Sequence, residues 1–234
     1  MPRNLILHGG IYHAFAEGAE ELARSLCACG VSSELETDVE AAFARLRSGD
    51  IDMLTVYALR WRMLDHEKYA PFRAEYAMSV SEAGRAALQA FVEEGGALLA
   101  LHTASICFDD WPGWGEVLGA RWRWGQSFHP PPQQAQVHVT DAEHPICAGI
   151  TDFDIEDEVF HDLEHTAANH PLLSASAGPD GVPQPVLWAR RHGAGRVVYD
   201  ALGHTVSSLQ HHCHRRLLRQ ATQWLIPGST GVSS

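Results

Sequence analysis

A short strand-like run recurring four times over residues 4–101, with helical stretches and glycine-closed turns between, constrains this chain most. The runs are NLILH (residues 4–8), residues 31–36, IDMLTVYA (51–58) and ALLAL (97–101). Between them, residues 14–29 carry Leu22 and Leu26 four apart and close at Gly30, and residues 39–46 end near Gly49. Ser81 stands as the cap of a helix reaching Glu94, which Gly95 and Gly96 terminate. Apolar runs without polar alternation belong to strands that have no solvent face, in parallel sheets covered by helices on both sides. Such sheets bind ligands outside the carboxyl ends of their strands. The fourth run ends on a histidine, in the stretch GGALLALHTAS (95–105). His102 is therefore expected at the ligand edge; a core histidine satisfied by backbone hydrogen bonds is the competing reading.

The pattern changes in two places. Residues 59–80 form a polar, aromatic insertion, and beyond residue 110 the chain reads DDWPGWGEVLGARWRWGQSFHPPP, a short helix near 115–118 followed by an aromatic stretch and a proline bend. Residues 136–140 read as a strand and 153–163 as an irregular acidic one. PVLWARRHGAGRVVYDALGH (185–204) reads as a hairpin turning at residues 192–195. Residues 207–225 read as one amphipathic helix. The expected organisation is a single domain over 1–226 with a disordered tail at 227–234.

Composition removes several classes of function. With 29 acidic and 17 basic residues the net charge is −12, which argues against nucleic acid and anionic membrane as partners. No apolar run reaches the length of a membrane span, and MPRNLILHGG lacks the long apolar region of a signal peptide, so the cytoplasm is the expected location. Cys27, Cys29, Cys107, Cys147 and Cys213 are scattered, which favours reduced, mostly buried thiols over a zinc or disulfide framework. Fifteen histidines are the unusual count. Of these His211, His212 and His214 read most simply as a solvated face of the last helix.

Three ordered stretches resemble the ThuA-like, or trehalose-utilisation, family: GGALLALHTAS, HPICAGITDFDIEDEVF (144–160) and the hairpin stretch 185–204. Ala100 stands where that family more often has glycine, and the 59–80 insertion bears on substrate identity. The resemblance implies an α/β, flavodoxin-like fold related to class I glutamine amidotransferases, here with an added β-hairpin, and a role in disaccharide or oxidised-sugar metabolism. Amidotransferases carry a nucleophilic cysteine at the turn where this chain has His102. Cys107 lies five residues further on, expected inside the next helix, so amidotransferase chemistry is disfavoured.

Four histidines match family positions at strand ends or adjoining loops: His13, His102, His129 and His204. Asp157 and Glu158 add carboxylates, with His161 close behind. If the sheet is parallel, His13 and His102 share one edge, and several imidazoles with a carboxylate suit a zinc, manganese, iron or nickel ion. The expected metal ligands are His13, His102, His129 and His204; the expected catalytic residues are His102, Glu158, Asp157 and His204. Each has a plainer alternative: His13 as a helix cap, His129 as a turn residue, Asp157 and Glu158 as a solvated acidic edge. Trp111, Trp124 and His129 are expected to bind substrate, although Trp111, Trp114, Trp122 and Trp124 could equally be core. No nucleotide cofactor is expected. The expected function is a carbohydrate enzyme moving a proton next to a sugar carbonyl, as isomerase, lyase or hydrolase, with a small-molecule sugar as partner. Association into a homo-oligomer is left open. A non-catalytic sugar-binding or regulatory protein on the same fold is the competing expectation.

Overall fold

The structure is a computed structural model, and it describes residues 1–167, 169–177 and 181–228. Residues 229–234 of the expected tail lie outside the described residues. The strands are β1 (Arg3–Gly9), β2 (Ser32–Glu36), β3 (Met53–Ala58), β4 (Ala97–Leu101), β5 (Ala120–Arg121), β6 (Gln133–Val139), β7 (Phe153–Asp157), β8 (Glu164–His165), β9 (Pro171–Ser176), β10 (Gln184–His192) and β11 (Gly195–Asp200). The helices are α1 (Phe15–Cys27), α2 (Val39–Arg45), α3 (Arg73–Tyr76), α4 (Glu82–Glu93), α5 (Pro112–Leu118), α6 (Val206–Gln210) and α7 (His212–Leu225). Ser81 caps α4 as expected, its hydroxyl accepting from Gly84 N.

Among the described residues nine strands form one sheet in the order β2-β1-β3-β4-β11-β10-β9-β6-β7, while β5 and β8 make a separate ribbon. β1 and β3, and β3 and β4, are parallel neighbours, so the first half is the parallel sheet that the apolar runs imply. The strands at its centre are wholly buried, β3 and β4 along their entire length. α1, α6 and α7 pack against one another on one side, and α2, α4 and α5 are linked by contacts of their own.

The hairpin is not an appendage. β11 pairs parallel with β4 and is the fifth strand of the parallel half, while β10 begins an antiparallel extension through β9, β6 and β7. Four successive antiparallel pairings bring β7 back to the direction of β11. The carboxyl ends of β1, β3, β4, β11 and β7 thus point the same way.

Several local expectations change. The acidic stretch opens as a regular strand, β7. The last helix is two, α6 and α7, separated at His211, whose extended ψ of 131° breaks the helical path. His214 is fully buried rather than solvated, because it lies on the apolar stripe of α7 with Leu217, Leu218, Ala221 and Leu225. All five cysteines are free; Cys29, Cys107 and Cys147 are buried, but Cys27 is exposed. Among the described residues no helix is long and apolar enough to cross a membrane.

Candidate functional site

At the carboxyl end of β4 the chain turns sharply into a short 3-10 turn, His102–Ser105. His102 takes a left-handed backbone (φ 48°), which costs a non-glycine residue on the order of 1–3 kcal/mol unless its surroundings hold it. They do. Tyr199 from β11 donates its hydroxyl to His102 O at 2.8 Å, and Thr103 Oγ1 donates to Ala58 O at the end of β3 at 2.7 Å. The imidazole is fixed as well, with Nδ1 2.8 Å from Ala201 O. A carbonyl only accepts, so Nδ1 carries the proton and Nε2 is left as an acceptor.

His13 repeats this logic from the loop after β1. Its Nδ1 lies 3.1 Å from Ile11 O, and its Nε2 therefore faces the Nε2 of His102 at 3.1 Å. Glu158 enters from the end of β7, Oε2 being 3.5 Å from His102 Nε2 and 3.3 Å from His204 Nδ1. His204 Nδ1 is buried with no hydrogen-bond partner, since it sits beside the carboxylate without hydrogen-bond geometry. His13, His102, Glu158 and His204 each offer one ligand atom, all within 4.8 Å of one another, a set that could hold a metal ion.

The electrostatics match that crowding. Burial first, and the His102 ring second, push His13 down to about 4, so it is neutral at pH 7. Burial alone would raise the Glu158 carboxyl, but the His102 and His204 rings beside it outweigh that and hold it well below the usual carboxylate range. His204 is the converse: burial lowers it, and Glu158 more than compensates. The Nε2 atoms of His13 and His102 and the Glu158 carboxylate converge on one small space, an arrangement that a bound cation would satisfy.

Asp157 is wholly buried and stands behind the cluster rather than in it. Its Oδ1 accepts from Glu158 N (2.8 Å) and His204 N (3.1 Å); its Oδ2 accepts from Gly203 N (2.8 Å) and from the Ser208 hydroxyl. It joins the end of β7 to the loop after β11, the two segments that carry Glu158 and His204. Gly203, at φ +113°, has a backbone that a side chain would strain. Behind Ser208 the chain of polar groups continues to His214, whose Nε2 lies 3.1 Å from Asp200 Oδ2, both residues being buried.

Over the cluster lies a cavity of about 280 Å³ lined by His13, Thr103, His129, Glu158 and His204 with Tyr12, Trp61, Lys68, Tyr69, Trp122, Trp124 and Phe160. Trp61 stacks on Trp124 (5.8 Å, 22°), and Tyr69 meets Trp61 edge-on at 4.9 Å. His129 and Glu158 are brought close by a two-way backbone bridge between Phe128 and His161. His129 Nδ1 is 3.3 Å from Glu158 Oε1 and 3.1 Å from Pro130 O. A wider depression of about 630 Å³ at the opposite edge, beside Gly95 and Gly96, holds no histidine.

The family model described as "ThuA: Trehalose utilisation" matches residues 71–225. The chain belongs to the ThuA family. A ThuA-like protein from Parabacteroides merdae shares its fold over 100% of this chain and 93% of its own (TM-score 0.76, 15% identity). One from Bacteroides uniformis does so over 97% and 92% (TM-score 0.72, 18% identity). The fold also resembles part of the β-galactosidase from Rahnella sp. R3, covering 96% of this chain and 31% of that one (TM-score 0.57, 15% identity). No curated protein matches the chain.

In this ThuA protein the expected residues divide into three groups. His13, His102, Glu158 and His204 come together. His129 and Trp124 line the cavity, but His129 is outside the four-residue ligand group. Trp111 does not line it: it stacks on Trp114 (6.4 Å, 27°) at the start of α5, 5.9 Å beneath the Arg85 guanidinium. Asp157 is likewise absent from the lining and acts through its neighbours. His161 is buried against Phe128, and Asp157 and Glu158 are both buried, so neither forms a solvated acidic edge.

Cys107 lies past the 3-10 turn but not in a helix, since α5 begins only at Pro112. Its Sγ donates to Ala58 O at 3.1 Å, and burial pushes the thiol up to about 12, which makes it inert as a nucleophile. Tyr12, Trp61, Lys68 and Tyr69 are wall residues that the sequence reading does not single out; for the last three the aromatic content of 59–80 is the only signal.

Proposed function

We propose that this ThuA protein is a metal-dependent enzyme acting on a carbohydrate, of the keto-sugar, keto-glycoside or disaccharide type. The observation that carries the reading is the meeting of His13 Nε2, His102 Nε2 and a Glu158 oxygen beside the buried, unpartnered Nδ1 of His204. Three imidazole nitrogens and one carboxylate are a donor set suited to zinc, manganese, iron or nickel. Both Nδ1–H groups given to backbone carbonyls are the outer contacts that orient ligating imidazoles. A divalent ion bound there would supply a Lewis acid to polarise a sugar carbonyl or hydroxyl.

The remaining work falls to the chain's own side chains. Trp122 and Trp124, the latter backed by the buried Trp61, offer apolar surface for the C–H face of a sugar ring, and Phe160 helps keep water from the floor. His129 is partly exposed at the cavity; with Nδ1–H directed to Pro130 O, its Nε2 is free to take a proton from carbon next to a carbonyl. Isomerisation, elimination and hydrolysis share that proton transfer. The family's link to trehalose utilisation supports the substrate class, and the cytoplasm is the proposed site of action.

Elemental analysis of protein purified without a His tag tests this, followed by assays on oxidised and unoxidised disaccharides. A stoichiometric transition metal lost in His102→Ala is expected. Metal-free protein that still binds sugar would make the chain a binding protein instead.

A further inference from the structure

The wall contributed by residues 59–69 contains a feature that the reaction proposed above leaves unused. Lys68 is the only lysine in the sequence, and it lines the cavity. Its ammonium group lies 4.9 Å from the centroid of the Tyr69 ring, a cation–π contact that keeps the charge at the aromatic wall. The acids flanking it are committed elsewhere: Asp65 accepts from Trp61 Nε1 at 3.2 Å, and Glu67 pairs with Arg73 at 3.4 Å. Nearby Arg62 pairs with Asp109. Among the described residues Lys68 enters no ion pair.

The charge around it is equally selective. The chain has a net charge of −12, yet among the described residues Glu158 is the only carboxylate in the cavity lining, and it lies at the floor within the histidine cluster. With that acid at the floor and Lys68 at the wall, the mouth is favourable to a negative group.

We propose that Lys68 reads an anionic substituent, a carboxylate or a phosphate, on the sugar ring that enters this cavity. The substrate class is thereby an acidic sugar: a uronate-type or phosphorylated ring. The aromatic faces hold the ring, and the ammonium group donates to the anionic oxygens at the rim. This rests on the carbohydrate reading given above and narrows it. Residues 59–69 then set specificity, and they fall outside the part of the chain that the family model matches.

Calorimetric titration of the full-length protein as purified with glucose, glucuronate and glucose 6-phosphate tests the assignment. Wild type is expected to bind at least one acidic sugar about tenfold more tightly than glucose, the worth of one partly exposed charged hydrogen bond. That preference should shrink as salt rises. Lys68→Met should abolish that preference, and Lys68→Arg should restore most of it. Comparing the two acids shows which anion the site prefers. Equal binding of all three sugars by wild type, or a preference that survives in Lys68→Met, overturns the role of Lys68 while the carbohydrate reading stands. Failure of wild type to bind either acid overturns the role of Lys68, and failure to bind these sugars and the disaccharides named above overturns both.

Discussion

Asp157→Asn is the sharpest single perturbation, because the change keeps size and shape while altering only what the group can accept. The carboxylate is fully buried and accepts four hydrogen bonds, from Glu158 N, His204 N, Gly203 N and the Ser208 hydroxyl. An asparagine can place its one carbonyl oxygen toward Glu158 N and His204 N. Its amide nitrogen then faces Gly203 N–H, which loses its partner, at a cost of about 1–3 kcal/mol. The two retained bonds fall from charge-assisted to neutral, about 1 kcal/mol each. Relief from burying a charge offsets part of this, so the net loss is about 3 kcal/mol. For a chain of this length that lowers the melting temperature by about 6–12 °C. The second expectation is specific to position: the loop carrying His204 is no longer tied to the strand end carrying Glu158, so bound metal should be lost at chelator concentrations that wild type survives. Thermal melts and metal content, with far-UV circular dichroism to confirm the fold, measure both. Ser208→Ala removes one of the four bonds and should fall between the two proteins. An Asp157→Asn protein that melts within a degree or two of wild type and keeps its metal would refute the clamp.

Other outcomes follow from the same geometry. His102→Ala should fold and lose bound metal and turnover; full activity in a destabilised variant would return His102 to the role of a core residue. Cys107→Ser should retain activity, and loss of all turnover with the fold intact would revive a thiol mechanism. The buried His214–Asp200 pair should make stability depend on pH. Burial lowers the His214 imidazole but Asp200 raises it further, so the folded value lies above the ordinary one of about 6.5. Its contribution is then complete below about pH 6.5 and is lost as pH rises through the raised folded value. Denaturant unfolding of wild type against His214→Gln from about pH 6 to about pH 8 should show wild type losing its advantage with rising pH; an advantage that grows would contradict the pairing. Added zinc or manganese should stabilise metal-stripped wild type by about 2.7 kcal/mol at a hundred times Kd, seen as a higher melting temperature, and should leave His102→Ala unmoved.

Period and position explain what was legible in the sequence. ALLAL has no polar alternation, so it had to be a strand with both faces covered, and β4 lies fourth of nine. His102 follows it at the carboxyl edge, as His13 follows β1, because parallel strands put all such loops on one side. Two misread positions carried a signal of the same kind. In Phe153–Asp157 the alternation puts Ile155 and Asp157 on one buried face and Asp154 and Glu156 on the exposed one, so the register alone separates Asp157 from its acidic neighbours. His214 precedes Leu217, Leu218, Ala221 and Leu225 at helical spacing, and so belongs with them rather than with His212. The wall of the cavity carried no such signal. Trp61, Lys68 and Tyr69 come from a connection without regular period, and Trp111 is chemically no different from Trp124, yet only one of that pair lines the cavity. Periodicity specifies which face of an element is buried; which connection lies across which strand end depends on long-range packing. The cluster at the floor belongs to strand ends and was therefore readable, while the surfaces that choose a substrate belong to connections and were not.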